Sequence, residues 1–223
     1  ILKNYPEIDA IIHTGDLAQV AKPETYARYQ RYMQRLNIPF YQIPGNHDNA
    51  SYFPFLTPEP MPGVLSFGNW RVILLNSAVA GQVDGWIHAE QLQHLREILE
   101  TTQQNNVIVA CHHHPLDMQS HWIDQHKLKN SDELKHVLAA YSQIRAVICG
   151  HVHQDSLNIW NQIQFLSTPS TSVQFKPKSY DFALDNVAPG YRCLLLKDNS
   201  TFETQVHRLS DFTQHINQDI SGY

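Results

Sequence analysis

At 223 residues, with 42% of them apolar and 17% charged, the chain is long enough to bury one sizeable core and too short for two comfortable domains. A formal charge of -5 excludes broad electrostatic capture of nucleic acid, so an anionic substrate has to be drawn by a local positive centre. No apolar run is long enough to cross a bilayer and Ile1 to Pro6 carries no signal-peptide pattern, so the chain reads as soluble with no membrane partner. Cys111, Cys149 and Cys193 lie far apart in apolar stretches, the setting of buried strand thiols, and a reducing cytoplasm is their simplest home.

Short apolar runs alternate with amphipathic segments from the start of the chain. Ile8 to His13 reads as a strand, Glu24 to Leu36 as a helix and Phe40 to Ile43 as a strand, which predicts an α/β sheet. Val64 to Phe67 and Arg71 to Asn76 flank Gly68-Asn69, a hairpin signal. Glu90 to Thr101 follows with Leu92, Leu95, Ile98 and Leu99 at helical spacing. Val107 to Cys111 and Ala146 to Cys149 read as buried strands around a helix, Asp132 to Ala140, opened by a Ser131 cap. Beyond His153 the character changes: Leu157 to Trp160, Ile163 to Leu166, Ser172 to Phe175, Tyr191 to Leu196 and Thr201 to His207 are strands with almost no helix between them. These predict a second, mainly antiparallel sheet packed on the first. No repeat or linker divides the chain, which reads as a single domain over 1–223.

Fourteen histidines are the unusual entry in the composition, and their positions matter more than their number. Four blocks of metal-ligand residues follow four predicted strands: Gly15-Asp16, Gly45-Asn46-His47-Asp48, His112-His113-His114-Pro115 and Gly150-His151-Val152-His153. Open α/β sheets place their binding crevice at such strand ends. A carboxylate such as Asp16 can bridge two cations, imidazoles give borderline nitrogen ligands and the Asn46 carbonyl a weak neutral one. Gly-Asp alone is an ordinary turn, and a histidine run alone is a surface tract. Their joint occurrence in this order is what points to a metal centre. In an extended Gly-His-Val-His the two histidines would face opposite ways, so a turn there, or a metal on each side, is required.

The blocks TGD, GNHD, HHHP and GHVH resemble the calcineurin-like metallophosphoesterase superfamily, and the likeness runs through nearly the whole chain. It implies a four-layer α/β/β/α sandwich and a dinuclear centre. By this resemblance Asp16 bridges the two metals, Asn46, His151 and one histidine of the HHHP run hold the second, and His153 helps hold the first. The family spacing of ligand, one residue, then Pro favours His113, with His112 as the alternative. Trp122 to His126, Thr168 to Pro177, Val187 to Tyr191 and Val206 to Leu209 further resemble bacterial class III cyclic AMP phosphodiesterases. Family members begin with a strand ending in Asp-x-His, and no such motif precedes Gly15-Asp16. The expectation is therefore an N-terminally incomplete chain, lacking the family's first strand and helix, with weakened binding at the first metal.

The function implied is hydrolysis of 3',5'-cyclic AMP to 5'-AMP by a metal-bridging hydroxide. Asn46, His47 and His153 would contact the substrate. His47 is the candidate to bond the phosphoryl oxygen or protonate the departing alkoxide, and Asp48 to hold its imidazole, although His47 and Asp48 read equally as a loop pair. Fe with Mn, or a second Fe, is the metal pair implied, and the mixed oxygen and nitrogen ligands also admit Zn. Trp122, Phe175 and Tyr191 are aromatic residues that could stack on a base, though each reads first as packing. A broader phosphodiesterase acting on other cyclic nucleotides or glycerophosphodiesters is the related alternative. A truncated, non-catalytic nucleotide or metal sensor is the alternative of another class.

Overall fold

The computed structural model describes residues 1, 3–210 and 212. Among the described residues, twelve strands and four helices follow in chain order: β1 Ile11–His13, α1 Pro23–Gln34, β2 Phe40–Gln42, β3 Gly63–Phe67, β4 Trp70–Leu74, α2 Ala89–Thr101, β5 Asn106–Cys111, α3 His121–Asp124, α4 Ser131–Ala139, β6 Ile144–Cys149, β7 Ser156–Trp160, β8 Ile163–Ser167, β9 Gln174–Phe175, β10 Leu184–Asp185, β11 Gly190–Leu196 and β12 Phe202–Arg208. The main sheet has six strands in the order β3-β4-β5-β6-β8-β7. Its inner strands β4, β5, β6 and β8 are parallel, with β3 and β7 antiparallel at the edges.

The period of two along β5 explains how this sheet builds two cores. Val107, Val109 and Cys111 face a cluster that takes Leu92, Leu95 and Leu99 from α2 and Leu134, Val137 and Leu138 from α4. Ile108 and Ala110 face the other way, onto a cluster with Trp70, Val72, Ile148 and Leu166. A strand buried on both faces has to be largely apolar, and NVIVAC, buried at every position, is apolar from Val107 to Cys111. The second cluster is covered by Ile12 and Tyr41 of a short parallel ribbon, β1-β2, and by Leu194, Leu196 and Phe202 of a hairpin, β11-β12. Outside the ribbon lies α1, whose Tyr29 ring meets His13 and Phe40 edge-on. Helices, main sheet, ribbon with hairpin, and α1 thus make four layers.

Two expectations change in detail. β7 and β8 extend the main sheet instead of joining a second one, because β8 continues the parallel ladder beside β6, with Ala146 opposite Gln164 and Cys149 opposite Ser167. Helix α4 begins at Ser131 itself, with Asn130 in the cap position and no side-chain cap bond. Asn130 is turned away to Ile87, accepting from its N–H at 3.1 Å and donating to its carbonyl at 2.8 Å. It ties the helix to the loop before α2.

Between ribbon and hairpin lies an open cleft of about 1720 Å³, with Ile11 and Leu194 on its walls and Trp70, Val72, Ile108 and Ile148 on its floor. Among the described residues no helix is long and apolar enough to cross a membrane.

Candidate metal centre

The ends of β1, β2, β5 and β6 deliver the four polar blocks to one end of this cleft, where Asp16, His47, His112, His151 and His153 all line it. Two blocks come from the ribbon and two from the main sheet, so the centre sits where the two β layers meet. Helix α1 sets the GNHD loop: the Tyr26 hydroxyl donates to Asp48 Oδ1 at 2.9 Å and accepts from the Asn49 N–H at 2.8 Å.

His112 is the hub. Its Nδ1 lies 2.6 Å from the Thr14 carbonyl, which can only accept, so that nitrogen carries the proton and Nε2 is left to face inward. Around Nε2 stand Asn46 Oδ1 at 3.2 Å, His151 Nδ1 at 3.2 Å and Asp16 Oδ2 at 3.3 Å. Lone pairs on two oxygens and two imidazoles crowd one buried point, and such a set needs either a shared proton or a cation at its centre. The electrostatics agree. Burial pushes the Asp16 carboxyl up, but His112 and the His47 N–H outweigh it and hold Asp16 well below the usual carboxylate range. Burial pushes His112 down, and Asp16 more than offsets that. The donors fit a divalent cation of borderline softness, with mixed oxygen and nitrogen ligands.

Backbone strain is concentrated on these residues. Asp16, His151 and His153 all take left-handed conformations, with φ of 55°, 53° and 47°, which side-chain-bearing residues adopt rarely and at a cost of order 1–3 kcal/mol each. This resolves the Gly-His-Val-His geometry: two left-handed residues separated by one turn the segment, so both histidines reach the same cleft.

His153 is held from behind. Its Nδ1 donates to the Val173 carbonyl at 3.0 Å, and its ring stacks on Phe175 at 4.2 Å with an interplanar angle of 4°. Burial lowers its pKa to about 4, so at neutral pH it is an imidazole able to offer Nε2. His47 lies at the cleft, its N–H donating to Asp16 Oδ1 at 3.0 Å and its Nδ1 3.4 Å from Gln19 Nε2.

His113 and His112 are distinguished by their partners. Ligand-type atoms of His112, His113 and His151 lie within 4.8 Å of one another. His113, however, spends Nδ1 on Ser77 Oγ at 2.8 Å and Nε2 on the Val83 carbonyl at 3.0 Å. As packed, the ring favoured by the family spacing is a buried strut, while His112 faces the other ligands. His114 is likewise buried, against Asp124 Oδ1 at 3.3 Å and stacked on His151 at 5.8 Å.

Of the two readings open for Asp48, its hydrogen bonds fit the loop residue. Its Oδ2 accepts from the Gly45 N–H at 3.0 Å and the Leu17 N–H at 3.2 Å, and its Oδ1 from Tyr26. Those bonds make the carboxylate a loop-builder; both oxygens are committed to backbone and tyrosine. Sequence reasoning missed Ser77, the prop of His113. Its signal was there, in the polar pair Asn76-Ser77 directly after an apolar strand.

The close approach of the two loops at the end of the ribbon needs glycine. A Cβ on Gly45 would stand 2.1 Å from Asp16 Oδ1 and 2.6 Å from the Asp16 backbone nitrogen, neither of which can move without opening the centre. Gly45→Ala is expected to cost about 1–3 kcal/mol of stability and to lower metal affinity at least ~10-fold. A urea melt and metal titration of the same preparation check both; wild-type values in each would contradict the packing described.

Comparison with known proteins bears on this centre. The family model described as calcineurin-like phosphoesterase matches residues 1–155. The chain is 36% identical over 225 residues to the 3',5'-cyclic adenosine monophosphate phosphodiesterase CpdA of Pseudomonas aeruginosa, covering 100% of this chain and 83% of that protein. It is 38% identical over 221 residues to CpdA of Escherichia coli K12, covering 97% and 80%. In fold it is similar to a dimetal phosphatase from Danio rerio, with a TM-score of 0.62 at 13% identity, covering 94% of this chain and 86% of that one. With the four ligand blocks in order at four strand ends and a family match over more than half its length, the chain belongs to the calcineurin-like phosphoesterase family.

Proposed function

We infer that the chain is a metal-dependent cyclic nucleotide phosphodiesterase that opens 3',5'-cyclic AMP to 5'-AMP. The observation that carries this reading is the convergence of Asp16, Asn46 and His151 on His112 Nε2, at the mouth of a cleft shared with His47 and His153. The relatives' names supply the substrate class. We assign Asp16 as the bridging ligand, Asn46, His112 and His151 as the other ligands of the second metal, and His153 with Asp16 to the first. His112 replaces His113 in that assignment because only its free nitrogen faces the other donors.

When bound, two cations lower the pKa of a water, polarise the phosphoryl oxygens and stabilise an in-line displacement. Fe with Mn suits this donor set, and Zn is compatible with it. The chain's own residues do the rest. The Gln19 side-chain amide lies 3.4 Å from His47 Nδ1, and it can donate there to the neutral imidazole or, turned over, accept from the imidazolium. As the bond from phosphorus to O3' breaks and the bond from phosphorus to the water oxygen forms, O3' takes a proton from His47 in its imidazolium form, and the neutral imidazole left behind regains one from the proton the water releases. Asn46 and His153 flank the phosphoryl group. The three cysteines make no disulfide, consistent with work in the cytoplasm.

Competition among cyclic AMP, cyclic GMP and a glycerophosphodiester, with products separated by chromatography, tests the reading. Preferred loss of cyclic AMP with 5'-AMP as product supports it. Equal use of all three would make the chain a broad phosphodiesterase, and metal or nucleotide binding with no turnover would make it a sensor.

A further inference from the structure

Three sequence blocks that the metal chemistry leaves unused, Thr168 to Pro177, Val187 to Tyr191 and Val206 to Leu209, meet in space around one buried amide. Gln174 is 2% exposed. Its Nε2 donates to the Ser170 carbonyl at 2.8 Å and the Ser172 carbonyl at 3.1 Å, and its Oε1 accepts from Arg208 Nη1 at 3.3 Å. Arg208 also donates to the Ala188 carbonyl at 2.8 Å, and the Gly190 N–H reaches the Ser170 carbonyl at 2.9 Å. A buried amide is tolerated only when its donors and acceptor are satisfied, so this network is worth its desolvation only if segment 170–173 holds one conformation.

That segment has a particular place. Ser170, Thr171, Ser172 and Val173 line the same cleft as His47 and His153, and the Val173 carbonyl is the partner of His153. Thr171 and Ser172 are exposed. The surface they present beside the centre carries hydroxyls and peptide groups and no charge, which suits the ribose hydroxyl and base edge of a nucleoside better than a second phosphate.

We propose that segment 170–173 is the wall that recognises the nucleoside part of the substrate, with Gln174 and Arg208 as the positioning residues that hold it in place. The proposal rests on the cyclic nucleotide reading given above, and deepens it from a substrate class to the residues that select the substrate. Remote contacts of this kind raise affinity for the nucleotide without altering the metal chemistry.

The test compares cyclic AMP with bis(p-nitrophenyl) phosphate, a diester with no nucleoside. Gln174→Glu keeps an acceptor for Arg208 while replacing the amide donor that holds Ser170 and Ser172. Thr171→Ala/Ser172→Ala removes only exposed hydroxyls, so it decides the matter if the first variant folds poorly. The double variant is expected to raise KM for cyclic AMP about 10-fold while leaving metal content intact and kcat/KM for the aryl diester within about twofold, and Gln174→Glu, whose segment also carries the Val173 carbonyl that holds His153, to raise KM for cyclic AMP at least as much. A parallel loss on both substrates in the double variant, or an unchanged KM for cyclic AMP in it, overturns the proposal. Wild-type protein that turns over the aryl diester and not cyclic AMP would instead overturn the substrate reading beneath it.

Discussion

His112→Ala is expected to lower metal-supported diester turnover by roughly a thousandfold, about 4 kcal/mol of transition-state stabilisation, and to strip metal from the folded chain. The reason is geometric: Asp16, Asn46 and His151 all converge on His112 Nε2, and removing the ring takes away the ligand that shares their position. His113→Ala is the control with a different signature. It leaves the Val83 carbonyl without its imidazole partner, takes one of two bonds from Ser77 Oγ, which keeps the residue 113 backbone N–H, and opens a cavity, so stability should fall by a few kcal/mol while the folded fraction still binds metal. Metal per folded chain, read beside a thermal melt, separates the two. If His113→Ala lost the metal and His112→Ala kept it, the family spacing would be right and the assignment from packing wrong.

His47→Ala carries the second large effect, a fall of about 10²–10⁴-fold in kcat on cyclic AMP with metal content unchanged. A general acid matters in proportion to how badly the leaving group needs a proton. On bis(p-nitrophenyl) phosphate, whose phenolate leaves unaided, the same variant should lose far less. Steady-state rates on the two esters make the comparison, and equal losses on both would show that His47 supports binding or the centre itself and donates no proton.

Much of the architecture was legible because burial on two faces leaves a plain signature. β5 and the second half of β6 are apolar runs, and each ends in its ligand block as the pattern predicts. The amphipathic helices α1, α2 and α4 fall within a few residues of their predicted spans for the same reason. What was illegible depended on conformation or on partners distant in sequence. Nothing in Gly-His-Val-His announces that His151 and His153 both take left-handed backbone, since that strain is maintained by the surrounding packing. The choice between His112 and His113 turns on Thr14, Ser77 and Val83, which only the fold brings to those rings. Asp48 reads equally as a partner for His47 and as a loop residue, and only the fold brings its oxygens to the Leu17 and Gly45 N–H groups and a tyrosine from α1. The sheet membership of β7 and β8 was equally hidden, because an antiparallel pair can extend either sheet until register is known.

Cyclic AMP hydrolysis followed while metal is removed and restored shows whether Asp16, Asn46, His112 and His151 build a metal-dependent cyclic nucleotide phosphodiesterase. The chain is stripped with a chelator, Mn or Fe is titrated back, and bound metal and 5'-AMP are measured on the same samples. 5'-AMP formation is expected to disappear with the chelator and to return in step with the ion bound at this centre. Hydrolysis that persists in metal-free protein, or a fully loaded centre that leaves cyclic AMP intact, would contradict that expectation.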